Sequence, residues 1–330
     1  MKKVAALTGD QRKELFAITA ERRGMGSAAV VEKDFWVCWT LKQIFTHPKL
    51  KDKLLFKGGT SLSMVFGLID RFSEDIDLIL DWRLVTEKNP MGDYSKTGQA
   101  RLNSEINEKA KAYIADTLLN ELDEALGLHC TSEVGTDEED QGHVVNIHYP
   151  ETAEPGYLRP CIRLEIGPLA SWLPHSDYVV RPYAAEEFPD LFEEMECPVR
   201  AIEAKRTFWE KATILHHEAH RPEESSVPSR YSRHYYDLYL MSRTDVKSQA
   251  LDDLALLEEV VDFKTRFYPR GWARYDLAKP GSIKLVPPDR ILAEIEKDYA
   301  AMQEMIFGRR PDFDEIMKGL SQLEQEINHA

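Results

Sequence analysis

The residues best spaced for chemistry lie in one stretch, Lys57 to Leu78, which reads KGGTSLSMVFGLIDRFSEDIDL. Gly58 and Gly59 follow a short apolar run, and Asp75 and Asp77 stand one residue apart among apolar neighbours. Side chains alternate along an extended segment, so Asp75, Asp77, Ile79 and Asp81 point one way and Ile76, Leu78, Leu80 and Trp82 the other. The second face is wholly apolar and is expected to pack on a core. On the first, two like charges side by side repel, and a cation between them removes that cost. Mg²⁺ suits such a pair, because it takes one or two carboxylates and completes its shell with phosphate oxygens. The alternative for a D-x-D taken alone is a solvated strand face with ordinary surface acids.

The glycines add a second half. A residue without Cβ lets the backbone approach a ligand closely. A helix beginning at Thr60 or Ser61 would aim its free N–H groups, and those two hydroxyls, at an anion. Strand, glycine turn and helix, followed by a strand carrying D-x-D, thus place phosphate and metal sites on adjoining elements. A plain tight turn capped by Thr60 is the competing reading. The stretch is not a Walker loop, since Lys57 precedes the glycines, and it is not a dinucleotide-binding fingerprint.

The elements that position these residues follow from periodicity and punctuation. TGDQRKELFAITAERRG and AAVVEKDFWVCWTLKQIF read as two helices, the second largely buried; KLLFKGG is a short strand, TSLSMVFGLI a short helix and SEDIDLILDW a second strand. NSEINEKAKAYIADTLLNELDEALG is a long amphipathic helix, followed by an acidic loop, GTDEEDQG, and by the strands HVVNIHYP and RPCIRLEIGPLA. The turn-rich, acidic run from Pro182 to Pro198 marks a boundary, beyond which RAIEAKRTFWEKATILHHEAH, SRHYYDLYLMSR and three further segments read as helices. The expectation is an α+β fold: residues 1–185 form a mixed sheet flanked by helices, and residues 186–330 form a mainly helical C-terminal domain.

Bulk properties bound the partners. The chain has 330 residues, is 43% hydrophobic and carries a formal net charge of −15, which excludes a protein that coats nucleic acid through a general basic field and leaves room for a local basic groove. Cys38, Cys130, Cys161 and Cys197 are far apart and form no metal or disulfide pattern, so they read as reduced thiols. No apolar run is long enough to span a membrane, and Val4–Leu7 is too short for a signal core, so a cytoplasmic location is expected.

The layout resembles the nucleotidyltransferase fold of DNA polymerase β and its relatives, although the 15 residues between Gly59 and Asp75 exceed the usual gap. More narrowly, residues 54–80 resemble the AbiEii/AbiGii family of nucleotidyltransferase toxins, in which a Gly-Gly-Thr-Ser-Leu turn and an Arg-Phe-Ser-Glu-Asp-Ile-Asp strand occur at about this separation; weaker resemblance runs over most of the chain.

The resemblance implies NMP transfer from an NTP to a hydroxyl. Asp75 and Asp77 would hold Mg²⁺ or Mn²⁺, and Gly58, Gly59, Thr60 and Ser61 would cradle the phosphates. A third acid is wanted on an adjacent strand: Glu165 is either that metal ligand or the ion-pair partner of Arg163. TFWEKATILH resembles the family's essential-lysine motif, which puts Lys211 on the nucleotide's phosphates, and SRHYYDLYL resembles its Asp-Leu-Tyr motif, with Asp237 orienting Lys211 or acting as a base. An Asp among aromatic residues needs a partner, Lys211 or Arg233. The implied acceptor is RNA such as a tRNA end, with Arg159, Arg163, Lys205 and the VRAIEAKR run as basic contacts. The implied partner is a cognate antitoxin, in a toxin–antitoxin or abortive-infection phage-defence system. Transfer to a protein side chain, or nucleotide binding without turnover by an interaction protein, remain open. His216, His217 and His220 do not form a metalloprotease motif; His216 and His220, four residues apart, are spaced as a metal pair, but the three read rather as helix-end residues facing the C-terminal dipole.

Overall fold

The computed structural model describes residues 1–73, 75–135, 143–153 and 158–330. The chain divides into two compact units, Met1–Val65 with Ser73–Ile202, and Phe66–Phe72 with Glu203–Ala330. The division after Ile202 lies beyond the 185/186 boundary expected from sequence, because the residues after Pro182 return to the sheet before the helical region begins. Most of the expected acidic loop, residues 136–142, lies outside the described residues.

The first unit opens with α1 (Lys2–Ala5), α2 (Gly9–Arg22) and α3 (Ala28–Thr46). Thr8 and Gln11 form a reciprocal capping box on α2, and the Ser27 side chain caps α3. Every residue of α3 from Ala29 to Leu41 is buried. Three of them are charged, and each is answered. Glu32 accepts from the Thr152 and Ala153 N–H groups, Lys33 donates to the Arg159 carbonyl at 3.0 Å, and Asp34 accepts from the Tyr183 N–H at 2.7 Å. Burial, against that one hydrogen bond, pushes the Asp34 carboxyl up to about 8.

Then follow β1 (Leu54–Lys57), α4 (Gly58–Met64), β2 (Asp75–Leu80), α5 (Lys96–Tyr113), one π-turn, α6 (Leu119–Leu126), β3 (Thr131–Val134), β4 (Val144–His148), β5 (Ile162–Gly167), β6 (His175–Val180), α7 (Tyr183–Glu187) and β7 (Cys197–Ile202). Among the described residues the strands form one seven-stranded sheet in the order β3-β4-β5-β2-β1-β7-β6. The β1–β2 pair is antiparallel, while β2–β5 and β1–β7 are parallel, so the sheet is mixed and the fold is α+β. Its buried face carries Leu54, Phe56, Ile76, Leu78, Leu80, Leu164 and Ile166, which share a core with α3. The cysteines are free thiols, all buried except the partly exposed Cys161.

The second unit consists of α8 (Ala204–Ala219), α9 (Ser232–Met241), α10 (Asp245–Leu251), α11 (Leu254–Phe267), α12 (Asp289–Met302) and α13 (Phe313–Asn328), with shorter turns between them. Sequence periodicity starts α8 too early: Arg200, Ala201 and Ile202 belong to β7, where six residues pair with β6. The detached segment Phe66–Phe72 is held by extended-chain contacts. Arg71 bridges Ile306, the Phe72 N–H donates to the Met305 carbonyl and the Phe307 N–H to the Asp70 carbonyl, both at 2.9 Å. Among the described residues no helix is long and apolar enough to cross a membrane.

Candidate active site

In the first unit, β2 is the middle strand of the sheet, and its register sets the polar face. Lys57 on β1, Asp77 on β2 and Glu165 on β5 stand opposite one another in one row, and Asp75 stands beside Arg163 in the next. Asp75 and Asp77 are both partly exposed, whereas Ile76 and Leu78 between and after them are buried. The face expected from alternation is therefore the face observed. It is bordered by a small apolar patch of Leu55, Ile79 and Ile202.

Gly58 begins α4 with φ at +81°, a conformation that L side chains rarely adopt. A Cβ there would lie 2.6 Å from Asp77 Cγ and 2.9 Å from Asp77 Cβ, and closer still to Oδ2. The Asp77 carboxylate thus occupies the space that a side chain at residue 58 would fill. The first turn of α4 has no side-chain cap, so its N–H groups open beside a carboxylate, a layout suited to a cation-bridged phosphate. The hydroxyls of Thr60 and Ser61 do not serve as the outward phosphate donors expected of them. Both residues are buried; Thr60 Oγ1 donates to the Asp75 carbonyl and Ser61 Oγ to the Gly58 carbonyl at 2.8 Å. They brace the turn against β2.

Glu165 is in register beside Asp77, but Arg163 Nε lies 3.2 Å from its carboxylate, so the ion pair left open by the sequence is formed. Among the described residues no group of three or more His, Cys, Asp or Glu is placed to hold a metal ion. The donor set fits an ion that takes two protein carboxylates, Asp75 and Asp77, and its remaining ligands from phosphate and water, which is Mg²⁺ chemistry.

The second unit holds a separate charged cluster. Asp237 on α9 is fully buried. Arg71 grips it with two hydrogen bonds, Nε to Oδ1 at 2.7 Å and a terminal nitrogen to Oδ2 at 2.8 Å, and Lys211 Nζ on α8 lies 2.7 Å from Oδ2. Burial would raise the Asp237 carboxyl, but the two cations outweigh it and hold the group far below the usual carboxylate range. Burial lowers the Lys211 ammonium, Asp237 opposes that and the Arg71 charge adds to it. The Lys211 ammonium also lies 3.4 Å from His234 Nδ1. Burial, then the Lys211 and Arg233 charges, push His234 well below its usual value, so its ring is neutral and accepts. Two of the three Lys211 N–H groups are engaged, and the third has no acceptor among the described residues.

The family described as "Nucleotidyl transferase AbiEii toxin, Type IV TA system" has a sequence profile that matches residues 39–319. The chain belongs to this family. It is therefore a nucleotidyltransferase of a toxin–antitoxin type. Solved structures similar to this AbiEii-family chain include JHP933 from Helicobacter pylori, at 14% identity and a TM-score of 0.44, covering 91% of this chain and 92% of that one. Another is MenT4, a nucleotidyltransferase toxin from Mycobacterium tuberculosis H37Rv, at 17% identity and a TM-score of 0.44, covering 95% and 97%. A search of curated proteins found no match.

Several features of the AbiEii-family chain escaped the sequence reading. Arg71, rather than Arg233, joins Lys211 on Asp237, and only its place in RFSED hinted at a role. The basic residues expected to meet RNA are largely neutralised. Arg200 pairs with Asp177 and Asp52, Lys205 with Asp253, buried Arg206 with Glu210 and Arg163 with Glu165. His216 and His217 are not charged residues facing a helix dipole. Both are buried, burial pushes His216 down to about 4 and lowers His217, and both are neutral at pH 7.

Proposed function

We propose that this AbiEii-family chain transfers an NMP from an NTP to a hydroxyl of RNA, such as a tRNA end. It would do so with Mg²⁺, in the cytoplasm, as a toxin restrained by a cognate antitoxin in a toxin–antitoxin or abortive-infection phage-defence system. The observation that carries the reading is the Asp77 carboxylate seated against Gly58 at the open first turn of α4.

Asp75 and Asp77 are the residues that would hold the ion. When bound, Mg²⁺ neutralises triphosphate charge and lowers the pKa of the acceptor hydroxyl. The first-turn N–H groups of α4, at Gly58 and Gly59, donate to the β- and γ-phosphates. Thr60 and Ser61 keep that turn in place. In transfer the hydroxyl oxygen bonds to the α-phosphorus, the bond to the bridging oxygen breaks, pyrophosphate leaves, and the hydroxyl proton passes to solvent.

In the helical unit, Lys211 is the residue that the family's lysine motif assigns to neutralising phosphate charge, and among the described residues it has an N–H to spare for that role. A buried ammonium neutralises developing charge more effectively than one in water. Asp237 orients Lys211; a carboxylate held so far below its usual range is a poor base, which supports orientation over proton abstraction. Arg71 fixes Asp237 by its planar fork and so completes the support.

The test is to incubate the protein with each NTP radiolabelled at the α-phosphate, Mg²⁺, and either total RNA or total protein. Label on RNA that disappears in Asp75→Ala supports the proposal. Label on protein moves the acceptor to a side chain. No label anywhere, with no difference from Asp75→Ala, counts against the reading.

A further inference from the structure

The buried histidines of α8 take no part in the chemistry above, yet His216 organises a whole loop. Its Nε2–H donates to the Arg274 carbonyl at 2.9 Å, and its Nδ1 accepts from the Lys284 N–H at 3.0 Å. One ring thereby joins two points ten residues apart in the chain. From α13, Asn328 Oδ1 accepts from the Ile283 N–H and Asn328 Nδ2 donates to the Ile283 carbonyl, both at 3.0 Å, while Glu324 accepts from the Leu285 and Val286 N–H groups. Ala273, Tyr275, Ala278, Ile283 and Leu285 are buried beneath the loop. A connection tied at so many backbone groups is a preorganised display.

What it displays is positive charge. Residues 263–290 contain seven Lys and Arg but only two Asp, in a chain of net charge −15. Arg270, Arg274, Lys279 and Lys284 are exposed. Arg274 is paired with Asp276, whereas Arg270, Lys279 and Lys284 enter no ion pair among the described residues. Aromatic rings are interleaved with these cations. Tyr268 is 52% exposed, and Trp272 is partly exposed with the Arg221 and Arg270 guanidinium groups 5.0 and 5.6 Å from its ring. Cations that bind phosphates through counterion release, beside aromatic faces on which any base can stack, are the recognition chemistry of single-stranded nucleic acid.

We propose that the Tyr268–Lys284 loop is the docking surface for the RNA acceptor, with phosphates on Arg270, Lys279 and Lys284 and a base on Tyr268. This rests on the reading that RNA is the acceptor. An acidic protein would meet the same cations, but cations alternating with exposed or partly exposed aromatic rings match the phosphate-and-base repeat of a single strand, and so RNA is favoured. His216 follows Lys211 by five residues on α8, about 7.5 Å along the axis and about 140° around it. The loop and the phosphate-binding ammonium thus face different sides of one helix. A strand on the loop crosses about 10 Å, one helix diameter, to bring its end to Lys211. The loop accordingly sets affinity for the acceptor and leaves affinity for the NTP alone.

The experiment measures fluorescence anisotropy of a labelled single-stranded RNA oligonucleotide over a salt series, without NTP, for the full chain. It compares the wild type with the triple variant Arg270→Gln, Lys279→Gln, Lys284→Gln and with Tyr268→Ala, each checked for an unchanged thermal midpoint. Loss of three phosphate contacts is expected to flatten the log–log salt slope by about 2 and to weaken binding at least about 30-fold at 0.1 M salt. Tyr268→Ala is expected to weaken binding about fivefold or more with the slope unchanged. The KM for the NTP should stay within about twofold in both, because the substitutions remove contacts to the acceptor and none to the nucleotide. Equal affinity and slope in the triple variant would overturn the proposal, as would a wild type that transfers NMP to protein and binds no RNA. If RNA binds through this loop but the label lands on another acceptor, the docking surface stands and the acceptor reading fails.

Discussion

Replacing Gly58 by alanine separates the two things that glycine does. The first is conformational: at φ of +81° a Cβ costs on the order of 1–2 kcal/mol. For a unit of this size that lowers the thermal midpoint by about 2–8 °C. The second is positional. The new Cβ would stand 2.6 Å from Asp77 Cγ, whereas ordinary van der Waals contact begins at 3.4 Å, so the carboxylate must retreat by about 1 Å or rotate away. A misplacement of about 1 Å costs about 100-fold in a transfer that depends on alignment. Gly24 supplies the control, for its φ is +63° and a Cβ there meets nothing within 4 Å. Gly24→Ala should show the strain alone: a similar loss of thermal midpoint, and transfer of α-labelled NMP within about threefold of wild type. Gly58→Ala should lose at least about 100-fold in kcat/KM at a temperature where it is fully folded. If Gly58→Ala is destabilised like Gly24→Ala but transfers normally, the position of the Asp77 carboxylate does not matter and the site has been misread.

Other perturbations discriminate among the remaining parts. Asp237→Asn leaves Arg71 and Lys211 without their shared anion and should cost about 3–5 kcal/mol of stability, read from denaturant midpoints. Lys211→Met leaves the Arg71–Asp237 pair intact, so transfer should fall at least about 100-fold with a much smaller loss of stability; equal losses of stability in the two variants would refute this division of labour. His216 is pushed down from 6.5 to about 4 by burial first, with His217 and His220 adding to the effect and the Arg274 carbonyl and Asp276 opposing it. A His whose folded pKa is depressed stabilises the fold fully above pH 6.5 and loses that contribution as pH falls toward 4. At about 1.36 kcal/mol per pH unit the loss reaches about 3 kcal/mol. Urea midpoints of the wild type should fall across that window, and His216→Gln should lack this part of the slope.

How much could be read from the chain depended on the range of the interaction. The two-residue alternation in DIDLIL is local, and it correctly separated the carboxylate face of β2 from the face that meets α3. The unbroken burial of α3 was equally plain from its apolar density. By contrast, β6 is an edge strand whose HSDYVV pattern carries little apolar signal, and CPVRAI of β7 runs into α8 without a glycine or proline to mark the change. Their pairing is a tertiary fact. So is the fate of the histidines. HHEAH at a helix end invites a dipole argument, and only the loop returning over α8 to donate from Lys284 and accept at Arg274 makes His216 a neutral staple. The basic residues near Arg200 misled for the same reason, since their acids arrive from β6, from the turn before β1 and from the turn before α11.

The 15-residue gap between Gly59 and Asp75 has a structural cause of this kind. Only the first part of it is helix: α4 ends at Met64, and β2 starts at Asp75. The intervening Phe66–Phe72 belongs to the helical unit, where it pairs with residues 305–307 and delivers Arg71 to Asp237. Asp70 tightens the same contact, because its carboxylate fills the space a side chain at Gly308 would need. The added length is therefore a detour that places one cation. A buried carboxylate between an arginine fork and an ammonium has its charge balanced whether or not the ammonium is drawn toward a phosphate, because the fork remains. Without Arg71, Asp237 and Lys211 would close on each other as a simple pair, and a substrate phosphate would have to compete with the only counterion. Arg71→Lys tests this directly. It retains the charge but offers a point in place of a fork. The expected result is a KM for NTP raised several-fold, of order ~5-fold, with kcat less affected. An unchanged KM would mean that Lys211 is held by α8 alone and that the detour serves only to join the chain.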